Sequence, residues 1–236
     1  MAAIDKVKVV VVGDSGVGKT SLVHLICHNE PQSNPSATIG CSVEVKLHEY
    51  RAGLPNEKTY FVELWDIGGS ASHQNSRSIF YNSVNGIILV HDLTNRKSHQ
   101  NIRKWLAEVL NRDSSQKGNG TYFRYEFDPE QFAGNQIPIL VVGSKADLAQ
   151  SLREDTRTYD KYSSIAEECG ADELNLDCMQ VKYLAPATTN AVKLTKFFDR
   201  TIERRAGNQE VGEEDLEGHI SPNQDRRRFW KNSHVD

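Results

Sequence analysis

Residues Gly13-Asp14-Ser15-Gly16-Val17-Gly18-Lys19-Thr20 follow the pattern G-x-x-x-x-G-K-[ST], directly after the apolar run Val9-Val10-Val11-Val12. Residue types at this spacing suit a phosphate. Glycines let the N–H groups of Ser15 to Gly18 approach an anion, and a helix opening at Lys19 would add positive partial charge. Lys19 would reach the β- and γ-phosphates, the Thr20 hydroxyl would ligate Mg²⁺, and the Ser21 N–H would face the α-phosphate. The loop implies a nucleoside triphosphate without naming the base, because ATPases and nucleotide kinases share it.

Two further segments suit the metal and the γ-phosphate. Asp66-Ile67-Gly68-Gly69 ends a strand-like run, so Asp66 can hold Mg²⁺ across a water, and the Gly69 N–H can reach a γ-phosphate with no side chain in the way. Thr38, in Thr38-Ile39-Gly40 and 19 residues after Lys19, could close on Mg²⁺ and the γ-phosphate.

Guanine is selected by Ser144-Lys145-Ala146-Asp147. The Asp147 carboxylate can accept from both the ring N–H and the exocyclic amine of guanine, a donor pair that adenine lacks on that edge. The Lys145 stem would lie along the purine and ribose. A last base contact is expected from the loop after the final strand, at Asp177 and Cys178, where a backbone N–H could donate to the guanine carbonyl. Leu184-Ala185-Pro186 competes for this role.

The elements that must position these groups alternate. Val7 to Val12 reads as a strand buried on both faces, and Lys19 to Cys27 as a helix with Leu22, Val23 and Ile26 on one side. Ser42 to Tyr50 and Thr59 to Trp65 alternate in polarity around Gly53, Pro55 and Asn56, as a hairpin does. Gly86 to His91, Ile137 to Val142 and Leu174 to Asp177 read as strands, and Asn101 to Leu110 and Asn190 to Arg205 as helices. The pattern predicts an α/β fold: a mostly parallel sheet with one antiparallel edge strand and helices on both faces. Residues 1–205 form the domain. Within it, about 114–133 reads as an insertion carrying several aromatics, too long for an ordinary connection. Residues 206–236 read as a flexible polar tail, acidic then basic.

Composition closes off other classes. Lys and Arg number 28 against 32 Asp and Glu, a formal net charge of −4, which disfavours nucleic acid as a partner. No apolar run nears the roughly 20 residues that span a bilayer. Four cysteines without a CxxC pair read as reduced cytoplasmic thiols. An ATP-dependent kinase is disfavoured by Asp147 and by the lack of a second substrate-binding lid.

The motifs GDSGVGKT, TIG, WDIGG and SKAD, with their spacing, resemble those of a Ras-superfamily small GTPase. The stretch from Trp65-Asp66 to His91-Asp92-Leu93-Thr94 is similar to the Rab branch. TIGCSVEVKLHEY, FYNSVNGII and NQIPILVVG resemble the Rab-like protein three group. The resemblance covers roughly residues 5–205. It implies a P-loop NTPase (small GTPase) fold that cycles between GTP and GDP, with Mg²⁺ and with switch segments near Thr38 and after Asp66. It also implies effector or regulatory proteins as partners through those switches. Alternatively, the chain could be a scaffold that keeps nucleotide as a structural cofactor and works through the aromatic insertion or the tail, and the unusual switch segments could also serve self-association as a homodimer.

Three departures alter the expected chemistry. Ser70 stands where the family carries the glutamine that orients the attacking water, which predicts hydrolysis slower even than the roughly 10⁻⁴ per second of unaided members. Ser144 replaces the asparagine that opens the base motif and is expected to weaken the link between base loop and phosphate loop. Pro31 replaces an aromatic expected at the guanine edge. The last two losses predict faster exchange. The chain ends Ser233-His234-Val235-Asp236 and has Ala2 after Met1, so neither prenylation nor N-myristoylation is expected, and no stable lipid anchor. Arg226 to Lys231 could still touch an anionic surface weakly. His73 reads as a surface-loop residue, Arg77 as a structural or effector contact, and Cys27 and Cys41 as core or hairpin residues.

Overall fold

The computed structural model describes residues 5–110, 137–153 and 165–217. The insertion expected at about 114–133 and the tail beyond residue 217 lie outside them. Six strands form one sheet: β1 (Asp5–Val12), β2 (Cys41–Tyr50), β3 (Lys58–Ile67), β4 (Gly86–Asp92), β5 (Ile139–Ser144) and β6 (Asp172–Asn175), in the order β2-β3-β1-β4-β5-β6. Neighbours are parallel except β2 and β3, which pair antiparallel along their whole length from Cys41↔Ile67 to Tyr50↔Lys58. The expected fold class holds, with β2 as the single antiparallel edge strand.

The valine run explains why β1 sits inside. Val9 and Val11 point to one face and Val10 and Val12 to the other, all at most 1% exposed. On the first face they meet Leu22 and Ile26 of α1 (Lys19–His28) and Phe197, Phe198 and Ile202 of α5 (Thr189–Glu217). On the second they meet Ile102, Leu106 and Val109 of α2 (Arg96–Leu110) and Ile165 of the short α4 (Ile165–Glu168). Each fully buried branched aliphatic contributes about 1.5–3 kcal/mol, so a strand packed on both sides anchors the domain.

Several boundaries differ from those read in the sequence. Helix α2 begins at Arg96 because the Asn95 carboxamide accepts the N–H groups of Lys97 (3.0 Å) and Ser98 (3.3 Å), a cap that the polar run Arg96–Gln100 concealed. Strand β6 is Asp172–Asn175 rather than Leu174–Asp177. Leu174 and Leu176 are buried, but the Asp177 carboxylate turns back onto Met179 N–H (2.8 Å) and Gln180 (2.6 Å), which starts the loop. Helix α5 continues past Arg205 to Glu217, into the stretch read as tail. A 3-10 segment at Ala71–Tyr81, the short helix α3 (Ala146–Arg153) and a 3-10 turn at Val181–Leu184 are elements that the sequence pattern did not predict.

Candidate functional site

The expected site lies at the carboxyl ends of the parallel strands. β1 delivers Gly13, and the loop turns into α1 through Gly16 and Gly18, both left-handed (φ +79° and +92°). Gly18 caps a helix whose first turn has no acidic side chain, so the helix end keeps its positive partial charge. Lys19 is 6% exposed and donates to the Gly13 and Asp14 carbonyls, each at 2.9 Å. Burial pulls its pKa down to about 8, while the carboxylates of Asp66 and Asp14 work the other way.

Thr20, Thr38 and Asp66 come from three separate elements and converge. The Thr20 and Thr38 hydroxyls donate to the same Asp66 oxygen, Oδ2, at 2.6 and 2.8 Å, and lie 3.0 Å from each other. These are ordinary hydrogen-bond separations, and they gather three oxygens of the kind a Mg²⁺ ion takes, directly or across water, in one place. Asp66 is 1% exposed and its other oxygen, Oδ1, is buried without a hydrogen-bond partner. Burial raises the Asp66 pKa against the two threonine hydrogen bonds and the Lys19 charge. A cation would relieve both the orphaned oxygen and the desolvated carboxylate.

Gly69 lies against the phosphate loop. A Cβ there would fall 2.5 Å from the Ser15 nitrogen, so only glycine permits the approach. Gly68 is equally confined, its N–H donating to Gly40 O at 2.9 Å and an added Cβ meeting Thr38 O at 2.6 Å. Ser70 follows, its hydroxyl 2.7 Å from that of Ser72, and both are short side chains.

The base loops also meet. Ala146 N–H donates to Leu176 O at 3.2 Å, which brings Lys145, Ala146 and Asp147 beside Asp177 and Cys178. Burial pushes the Cys178 thiol up to about 12, with the carboxylates of Asp177 and Asp147 adding to it. Asp147 stands in the first turn of α3. Lys145 adopts φ +58° and extends to Asp92 Oδ2 at 2.7 Å, an anchor on β4. The competing Leu184-Ala185-Pro186 forms the end of a 3-10 turn and the bend after it.

Ser144 keeps a tie between base loop and phosphate loop. Its fully buried hydroxyl lies 2.6 Å from Val17 O and 2.9 Å from His91 O, so a shorter side chain makes the link because the backbones come close. Pro31 is exposed, while the neighbouring Gln32 carbonyl accepts from the Ser21 hydroxyl at 3.2 Å.

Sequence reasoning missed the support behind the site. Asp14, an unspecified position of the loop pattern, accepts from Asn101 Nδ2 and Trp105 Nε1, both at 2.8 Å. Arg77 is buried and forms a two-pronged pair with Glu108 (2.8 Å twice), lies over the Trp105 ring, and donates to Ser70 O at 2.8 Å. It is thus a structural residue, as one of its two expected roles had it. None of these partners lies at a motif spacing, and no local pattern could have revealed them.

Comparison with known proteins gives a consistent picture. A Ras family model matches residues 8–205. Rab-like protein 3 of Xenopus tropicalis is 50% identical over 250 aligned positions, covering 100% of both chains. Rab-like protein 3 of Homo sapiens is 52% identical over 225, covering 90% of this chain and 92% of its own. The small GTPase LIP1 of Arabidopsis thaliana is 42% identical over 154, covering 61% and 42%.

Proposed function

The chain belongs to the Ras family, and from that premise we propose that it is a Rab-like GTP-binding switch with slow intrinsic hydrolysis. The observation that carries the reading is the convergence of Thr20, Thr38 and Asp66 on one oxygen triangle. Ser15 to Ser21 cradle the phosphates, Thr20, Thr38 and Asp66 hold Mg²⁺ directly or across water, and Gly69 N–H meets the γ-phosphate. Lys145, Ala146, Asp147, Asp177 and Cys178 surround guanine. The bound ion supplies charge neutralisation at the phosphates. Thr38 and Gly69 would sense the γ-phosphate because both already lie against the phosphate loop, Thr38 through Thr20 and Asp66 and Gly69 beside Ser15.

Slow hydrolysis follows from Ser70. Arg77 donates to its backbone carbonyl at 2.8 Å, and from that backbone position the serine side chain is too short to orient a water as a glutamine would. Partners read the state through the switch surface, where Ile39, Val43, Val45, Leu47 and Ile79 are 44–82% exposed. Such a surface serves an effector, a regulator or a second copy. A reducing, cytoplasmic setting suits the four free thiols. No helix among the described residues is long and apolar enough to cross a membrane.

The test is to extract nucleotide from the purified chain and follow single-turnover hydrolysis of loaded GTP, with Lys19→Ala and Ser70→Gln in parallel. Guanine nucleotide should copurify with the wild-type chain and be lost with Lys19→Ala. Ser70→Gln should speed hydrolysis by at least about tenfold, below the usual contribution of a positioned proton-transfer group. Absence of bound or bindable guanine nucleotide overturns the reading. Binding partners that ignore GTP versus GDP would favour the scaffold that holds nucleotide as a structural cofactor.

A further inference from the structure

We propose a second metal site, apart from the nucleotide site, formed by His24, His28 and Glu44 and suited to Zn²⁺. His24 and His28 are one helical turn apart near the end of α1, so both imidazoles project from the same side. Their ring centroids are 4.5 Å apart and the rings tilt by 38°. Glu44, on the edge strand β2, reaches across so that Oε2 lies 2.8 Å from His28 Nε2. One ligand atom from each of the three side chains falls within 4.8 Å of the others.

The chemistry of the set selects the ion. Two imidazole nitrogens and one carboxylate oxygen are borderline ligands, which favour Zn²⁺ and its late first-row neighbours over Mg²⁺ or Ca²⁺. Three protein ligands leave the fourth tetrahedral position to water. With bonds of 2.0–2.2 Å, tetrahedral ligand atoms stand about 3.3–3.6 Å apart. The three ligand atoms, all within 4.8 Å of one another, would need side-chain rotation to reach those values. The His28–Glu44 contact opens slightly as the metal replaces the proton the pair now shares. Without metal this contact is an ordinary surface pair, with His28 52% and Glu44 24% exposed at the side chain, and such pairs stabilise little. Cys27, packed against the core beside Ile26 and Val23, lies outside the cluster. Lys46, the next residue on the same side of β2, is held by Ile26 O at 3.1 Å.

The place in the fold gives the site a consequence. His28 closes α1 and Glu44 follows the start of β2, so a metal would cross-link the two ends of the segment that carries Thr38. The site needs no nucleotide, so its test stands apart from the GTP reading.

Zinc chloride is titrated into the full chain as purified, in excess Mg²⁺, with Co²⁺ as a spectroscopic stand-in. One Zn²⁺ per chain should bind, Co²⁺ should give the visible bands of a low-coordinate centre, and the thermal midpoint should rise with zinc. His24→Ala, His28→Ala and Glu44→Gln should each weaken binding by at least about tenfold, the lower end of what loss of even an outer partner costs. Cys27→Ala should leave binding unchanged. Metal-free melting curves that match wild type show that the variants keep their fold. Absence of saturable zinc binding, or binding that survives all three substitutions, overturns the proposal. Loss of binding with Cys27→Ala overturns the ligand set.

Discussion

The Trp105 indole N–H donates to Asp14 Oδ1 at 2.8 Å, which fastens helix α2 to the phosphate loop. The same ring carries the Arg77 guanidinium on its face, 4.3 Å from centroid to the guanidinium carbon. One side chain therefore touches both the loop that would hold phosphate and the segment after Asp66. Trp105→Phe keeps a ring under Arg77 and removes only the N–H. Asp14 then relies on Asn101 alone, and the chain should lose about 1–2 kcal/mol in urea unfolding. GDP should leave faster, read from the release of a fluorescent analogue.

Arg77 and Glu108 are 4% and 10% exposed at the side chain, and their pair is two-pronged. Tyr81 donates to the same carboxylate at 2.7 Å. Arg77→Ala leaves the buried carboxylate with one neutral donor and should cost about 3 kcal/mol in chemical denaturation. Arg77→Lys should also destabilise, because an ammonium cannot make both prongs and the contact to Ser70 O. The double variant with Glu108→Ala should cost less than the two single losses added together.

Ser144 links the base loop to Val17 O. Ser144→Ala breaks that link within a fully buried spot, and about 1 kcal/mol is at stake. GDP release should quicken about fivefold, the kinetic equivalent of that energy. Unchanged release would mean that the close packing of the two loops, rather than the hydroxyl, holds the site.

His91 is buried on β4, both ring nitrogens lack hydrogen-bond partners, and burial pulls its pKa down to about 4. The unfolded chain, with an ordinary histidine near 6.5, binds the proton more readily. Stability from this residue is therefore whole above about pH 6.5 and falls as pH drops towards 4. At pH 5 the loss should be about 2 kcal/mol relative to pH 7. Urea unfolding of wild type and His91→Phe at both pH values checks this: the variant should show the smaller drop.

The candidate-site residues were legible in the sequence because the proposed contacts use backbone and short side chains at fixed spacing. Gly13 to Thr20 must follow a strand and open a helix, and Gly69 must lack a side chain, so the letters themselves carry the geometry. The doubly buried strands were legible for a similar reason, since an unbroken apolar run records two covered faces, whereas the alternation of β2 leaves Val43, Val45 and Leu47 exposed. The polar first turn of α2 and the 3-10 segment at Ala71–Tyr81 were not, because no apolar stripe marks them.

What the sequence alone determined was the order of the strands, the helices that follow β1 and β6, the phosphate-loop motif and a set of candidates for metal and base. Only the tertiary structure decided which partners hold them. Asp14 meets Trp105 from 91 residues away, and Ser144 meets Val17 from 127. The joining of His28 to Glu44 depends on how α1 packs on β2. Hydrogen bonds and ion pairs form wherever the packed sheet and helices bring groups within about 3 Å, and no local rule of spacing encodes that distance.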